Sequence, residues 1–143
     1  MKTPLTAVLT SVILMGCTAV DVSPIADHHN PELICLKMNR NVIVGGFEEA
    51  VEQRLHHHGI KTRRFDGYRT PRECEYTLSY TAFKTWDITT YLHRAELYLS
   101  YQGSPVANAT YRLRGKGGVG FSKYASVSSK MNPVVDQLLG LES

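Results

Sequence analysis

The sequence predicts an α+β fold, a two-layer sandwich with helices on one face of a mostly antiparallel sheet. Three observations predict it. Apolar and polar residues alternate along 74–114 in runs separated by turn residues, an amphipathic segment of helical period precedes them at 47–58, and a second helical stripe closes the chain at 122–139. In order the elements read β-α-β-β-β-β-α, which packs as two layers around one core. With 143 residues, 43% of them hydrophobic, the chain suffices for one domain that buries its own core.

Leu33 to Met38, LICLKM, is short and mostly apolar, as in a buried strand. Phe47, Ala50, Val51 and Leu55 then recur at helical spacing with Glu48, Glu49, Glu52 and Arg54 on the other side, and Gly59 is placed to end that helix. Ile60 to Asp66 reads as a short strand, and Gly67 to Glu73, with Pro71, as a loop. Tyr76, Leu78, Tyr80 and Ala82 alternate with Glu75, Thr77, Ser79 and Thr81, so this strand buries one face. After a turn at Asp87 to Thr89, Ala95, Leu97 and Leu99 face away from Arg94, Glu96 and Ser100. Gln102-Gly103-Ser104-Pro105 marks a hairpin turn, and Ala107, Ala109, Tyr111 and Leu113 return on one face. Tyr124, Val127, Met131, Val134, Val135, Leu138 and Leu139 form the last stripe, in which Pro133 is a break, a kink or the first-turn residue of a further helix.

The first residues are of another kind. Lys2 is followed by Pro4 to Met15, apolar apart from Thr6, Thr10 and Ser11, and then by small Gly16, the layout of a secretory leader too short for a permanent membrane span. Leu14-Met15-Gly16-Cys17 resembles the bacterial lipobox. The resemblance implies cleavage after Gly16 and a diacylglyceryl thioether on Cys17, with palmitate-type acylation of the new amino terminus. A plain secreted protein with a chance Gly-Cys is the alternative. Several acyl chains hold a protein stably at a bilayer where one chain does not, and Thr18 in place of Asp after the cysteine implies the outer membrane. Residues 1–16 are thus expected to be signal peptide, 17–31 (with Pro24 and Pro31) the lipidated cysteine and a flexible tether, and 32–143 a single periplasmic domain. The chain carries 16 Lys and Arg against 13 Asp and Glu, and losing Lys2 narrows the margin, which argues against nucleic acid as the natural partner.

With Cys17 occupied by lipid, Cys35 and Cys74 remain as an even pair in an oxidising compartment, so a disulfide is expected; two buried free thiols are the alternative. Closing that loop contributes about 4 kcal/mol by chain entropy.

Function is less legible. GKGGVG, Gly115 to Gly120, spells GxGxxG after a strand, yet the chain ends before the parallel strand and acidic residue that a dinucleotide site needs, so a connecting loop is expected. His56, His57 and His58 are successive on a helix and point about 100° apart, so they cannot all face one ion; at the helix C-terminus they complement its dipole instead. No metal or other cofactor is expected. The region KTRRFDGYRTPR places Arg63, Arg64, Arg69 and Arg72 around Tyr68, suited to phosphate or carboxylate groups, with Arg112, Arg114 and Lys116 as an extension. A charged, solvated strand edge gives the same pattern. No GxSxG, Ser-x-x-Lys or HExxH is present, and no catalytic residues are expected.

ELICLKMNRNVIVGGFEEAVEQRLHHHGI, the paired Cys35 and Cys74, CEYTLSYTAFKTWD and the closing MNPVVDQLL resemble a family of small outer-membrane lipoproteins of Gram-negative bacteria. The resemblance implies a disulfide-containing α+β domain and carries no activity with it. The architecture is also similar to that of the lipopolysaccharide-assembly lipoprotein, an analogy of fold alone. The expected role is therefore that of a lipid-anchored, non-catalytic envelope protein that contacts another envelope protein. The alternative is a module that binds an anionic glycolipid or a peptidoglycan fragment through Arg63, Arg64, Tyr68, Arg69 and Arg72.

Overall fold

A computed structural model describes residues 18–114 and 121–141. The strands are β1 (Thr18–Ser23), β2 (Leu33–Lys37), β3 (Lys61–Phe65), β4 (Tyr76–Trp86), β5 (Thr90–Tyr101) and β6 (Ser104–Leu113); the helices are α1 (Phe47–His57) and α2 (Val127–Leu138), with a short 3-10 turn at Phe121–Tyr124. They make one six-stranded sheet, ordered β1-β6-β5-β4-β2-β3, that does not close into a barrel. The predicted α+β sandwich with a mostly antiparallel sheet is what the chain forms. β1, β6, β5 and β4 are antiparallel neighbours, whereas β2 lies parallel to both β4 and β3.

The alternation in the sequence decides which face is covered. Ile34 and Leu36 of β2, Leu78 and Tyr80 of β4, Leu97 and Leu99 of β5 and Ala109 and Tyr111 of β6 join one cluster with Phe47, Val51 and Leu55 of α1 and Met131, Val134 and Leu138 of α2. Each large apolar side chain buried there contributes about 1.5–3 kcal/mol relative to exposure. The residues between them on each strand stand on the other face, which no helix among the described residues covers.

Both helices end as the sequence requires. The Gly59 N–H donates to His56 O and the Ile60 N–H to Leu55 O, a Schellman closure with Gly59 at φ +77° and Leu55 buried beside Ile60. α2 repeats the device at Gly140, where the Leu141 N–H reaches Asp136 O at 2.8 Å. Ser126 caps α2 by accepting from the Ser129 N–H, and Pro133 lies inside the continuous helix rather than breaking it.

One expectation is corrected. Residues 18–31 are part of the domain, not a tether: β1 pairs with β6 along its whole length, from Thr18 opposite Leu113 to Ser23 opposite Asn108. Beyond it, Ile25 is buried and its N–H donates to Leu138 O, and the His29 ring hydrogen-bonds the Tyr76 hydroxyl at 2.9 Å. β1 supplies the hydrogen bonds that β6 would otherwise leave open along an edge. Gly16, Cys17 and residues 115–120, where a connecting loop is expected, lie outside the described residues.

Candidate functional site

The loop 66–75 between β3 and β4 folds back over the uncovered face of the sheet. Cys35, on the opposite side of β2 from Ile34 and Leu36, is joined to Cys74 by a disulfide with Cα atoms 5.6 Å apart. Phe65 and Leu33 pack on that bridge, forming a small apolar cluster of their own beneath the loop. Between the loop and the central strands runs a groove of about 500 Å³, lined by Lys37, Arg72, Glu75, Thr77, Ser79 and Gln102. Its floor is hydroxyl-rich because these are the outward positions of one-face-buried strands.

The structure divides the predicted basic site. Arg64 points back over α1, its Nη2 2.6 Å from Glu52 and 3.2 Å from Glu49, and Arg63 is paired with Glu73. The Arg64 hydrogen bond to Glu52 holds the guanidinium in its charged form, and hydrogen bonds from its own backbone N–H and from Arg64 keep Glu49 below the ordinary carboxylate range. β3 is an edge strand, and these ion pairs are what charged residues on an edge do. Tyr68, Arg69 and Arg72 stand exposed on the loop, Tyr68 fully, and of the three Arg72 lines the groove. Arg112 and Arg114 do not extend this patch, because β5, β4 and β2 lie between β6 and β3.

Those two arginines form a second feature. Arg94 of β5 sits directly opposite Arg112 of β6, with Arg114 beyond, in a groove of about 540 Å³ shared with Asp21, Glu96 and Tyr98. Arg94 is paired with Glu96, and the Tyr98 hydroxyl donates to the same carboxylate at 2.8 Å and, more than any other contact, keeps it below its ordinary range. Arg112 and Arg114 have no ion-pair partner among the described residues, and like charges facing across a strand pair repel.

The three histidines go to three places. His56 bonds Thr62 at 2.7 Å, His58 Nε2 reaches Asp136 at 2.6 Å, and His57 packs edge-on against His58. Asp136 also receives both forks of Arg54 at 2.6 Å, which ties α2 to α1. Sequence reading misses this cluster because its members are 82 and 78 residues apart. Among the described residues no group of three His, Cys, Asp or Glu side chains converges as a metal ion would require. Among them, too, no helix is long and apolar enough to cross a membrane.

No protein-family model and no curated protein matches the chain. Its fold is shared by solved structures. The PelC dodecamer from Paraburkholderia phytofirmans, in space group P6, is 16% identical with a TM-score of 0.58, over 87% of this chain and 99% of that one. A point variant of that dodecamer, in space group C2, is 14% identical with a TM-score of 0.53, over 82% and 96%. At such identity the likeness concerns the fold alone.

Proposed function

We propose that this chain is a lipid-anchored outer-membrane protein without catalysis of its own, whose domain works by contacting another envelope protein through the uncovered face of its sheet. The observation that carries the reading is the groove beside the disulfide-tied loop. A two-layer fold leaves one face of its sheet to solvent, and here a disulfide and a private apolar cluster hold a ten-residue loop, 66–75, in place to shape that face. The lipobox resemblance at Leu14 to Cys17 supports the anchor. Because the PelC chains of the same fold are dodecamers, a further copy of this chain is the first partner to test.

Photo-crosslinking in living cells from Arg72, at the rim of the groove, is the test. A discrete protein adduct is expected, of twice the chain's mass if the partner is another copy. The absence of any protein adduct at Arg72 and at the neighbouring Lys37 overturns the reading.

The arginine pair favours a second reading, in which the groove at Arg94, Arg112 and Arg114 takes an anionic group of a glycolipid or of the cell wall. Arg94 is already paired with Glu96, but Arg112 and Arg114 have no ion-pair partner among the described residues, and an anion in the groove they share would supply one. Retention on lipopolysaccharide that weakens with salt supports it, and salt-independent or absent retention removes it.

A further inference from the structure

We infer that the β4–β5 hairpin is a membrane wedge: Trp86 and Ile88 at its tip, with Phe83 behind them, enter the lipid interface of the leaflet holding Cys17 and fix how the domain sits on the bilayer. The inference rests on the reading of Cys17 as a lipid anchor, and the experiment below separates failure of one from failure of the other.

Topology brings anchor and hairpin to one end of the sheet. Phe83 pairs with Arg94, Arg94 with Arg112, and Arg112 with Ala19, one row across β4, β5, β6 and β1. Past that row in one direction lie Thr18, which is bonded to Cys17, and the continuation of β4 and β5 to their turn at 87–89. Three strand spacings place Thr18 about 15 Å sideways from β4. Thr18, the residue after Cys17, is already in β1, so acyl chains seated in a leaflet bring this end of the sheet to its surface.

The hairpin is built to meet that surface. Trp86 is 74% exposed, Ile88 85% and Phe83 52%, whereas elsewhere among the described residues large exposed apolar side chains occur singly, as at Ile43 and Leu141. Trp86 and Ile88 stand two residues apart at the turn, with Phe83 on the opposite face of the strand three residues back, so apolar groups project from both sides of the tip, and tryptophan favours the membrane interface. Charge selects lipid as the occupant. Lys84 follows the row, Arg112 lies in it beside the Arg94–Glu96 pair, and Arg114 is next to it, where headgroup phosphates would stand, so anionic lipid is attracted. The carboxylate of the tip, Asp87, is held at 2.6 Å by Lys123 and so is not presented bare to those phosphates.

The tip is also braced. The Asp87 N–H donates to Thr89 O at 3.2 Å across the turn. Lys130, buried on α2, donates its ammonium protons to Leu92 O and to Lys123 O, tying the hairpin and the residue that grips Asp87 to the second layer. A wedge supported in this way can set an orientation, which a free loop cannot.

Trp86 is the sole tryptophan, so intrinsic fluorescence reports the tip alone. The full processed protein, with acylation of Cys17 read by mass, is reconstituted in vesicles of phosphatidylethanolamine and phosphatidylglycerol. Relative to Cys17→Ala protein in buffer, Trp86 emission is expected to move to the blue, iodide quenching to fall several-fold, and chain-brominated lipid to quench. Ile88→Asp, at an exposed position, should reverse these changes and leave the unfolding temperature unchanged. Acylated, vesicle-bound protein whose Trp86 stays as open to iodide as in buffer overturns the wedge and leaves the anchor standing. Parent protein found by mass to carry no acyl chain on Cys17 overturns the anchor, and the wedge stands if Trp86 of that protein is nonetheless protected on these vesicles.

Discussion

Asp136 is 3% exposed and charged, and what it touches determines what it does for the fold. Hydrogen bonding by Arg54 is the largest influence holding its carboxyl below the ordinary 3.8, against burial and with help from His58. A carboxyl depressed in the folded state contributes stability that is present above its unfolded value and is lost as pH falls through the folded one. Asp136→Asn should therefore cost about 3 kcal/mol at neutral pH, the lower end for a buried pair broken from one side, because Arg54 retains 24% of its side chain in water. The same variant should lose less on acidification from pH 5 to about pH 2 than the parent. Urea unfolding at neutral and acid pH measures both, and an unchanged neutral midpoint would refute the account.

Among the elements, the disulfide has a role that its spacing alone does not state. It closes a 39-residue separation, for which chain entropy predicts about 4 kcal/mol, and it also covers Phe65 on the face that has no helix layer. Replacing both Cys35 and Cys74 by Ala should lower stability by about that amount, and crosslinking from Arg72 should become diffuse because the loop no longer has one position. Retention of a single discrete adduct by this variant would separate the groove from the disulfide. β4, β5 and β6 were legible in the sequence because one face is apolar and the other polar, giving a period of two, and α1 and α2 because their buried residues keep the helical period. β1 was not, since Val20 and Val22 are half-buried edge positions between Cys17 and Pro24, and their partner strand lies some ninety residues on. Nor was the arginine pair: the turn at Gln102 and Gly103 alone would set Arg94 against Tyr111, and a bulge at Leu99 and Ser100 moves it to Arg112. The basic stretch Arg63 to Arg72 was visible as composition, while its division into ion pairs and free side chains depended on β3 being an edge beside α1.

At the scale of the whole molecule, the two ends of the sheet differ in chemistry, and that difference makes an orientation measurable. The end holding Trp86 and Ile88 is apolar at its tip and basic behind it, whereas the opposite end holds the turn Gln102–Gly103 and borders the groove of Arg72 and Lys37. β4 runs from Tyr76 to Trp86, so at about 3.3 Å per residue the ends are roughly 33 Å apart. If the hairpin seats in the bilayer, that length holds the far turn away from the headgroups and leaves the groove open to a partner in the periplasm. An acceptor dye in the lipid should then take energy strongly from a donor at Lys84→Cys and weakly from one at Ser104→Cys, both exposed positions. Ile88→Asp should bring the two efficiencies closer together, because the acyl chains alone tether the domain without orienting it. Equal transfer from both positions in the parent protein would mean that the domain tumbles on its anchor, and the groove would then have no fixed direction in which to meet its partner.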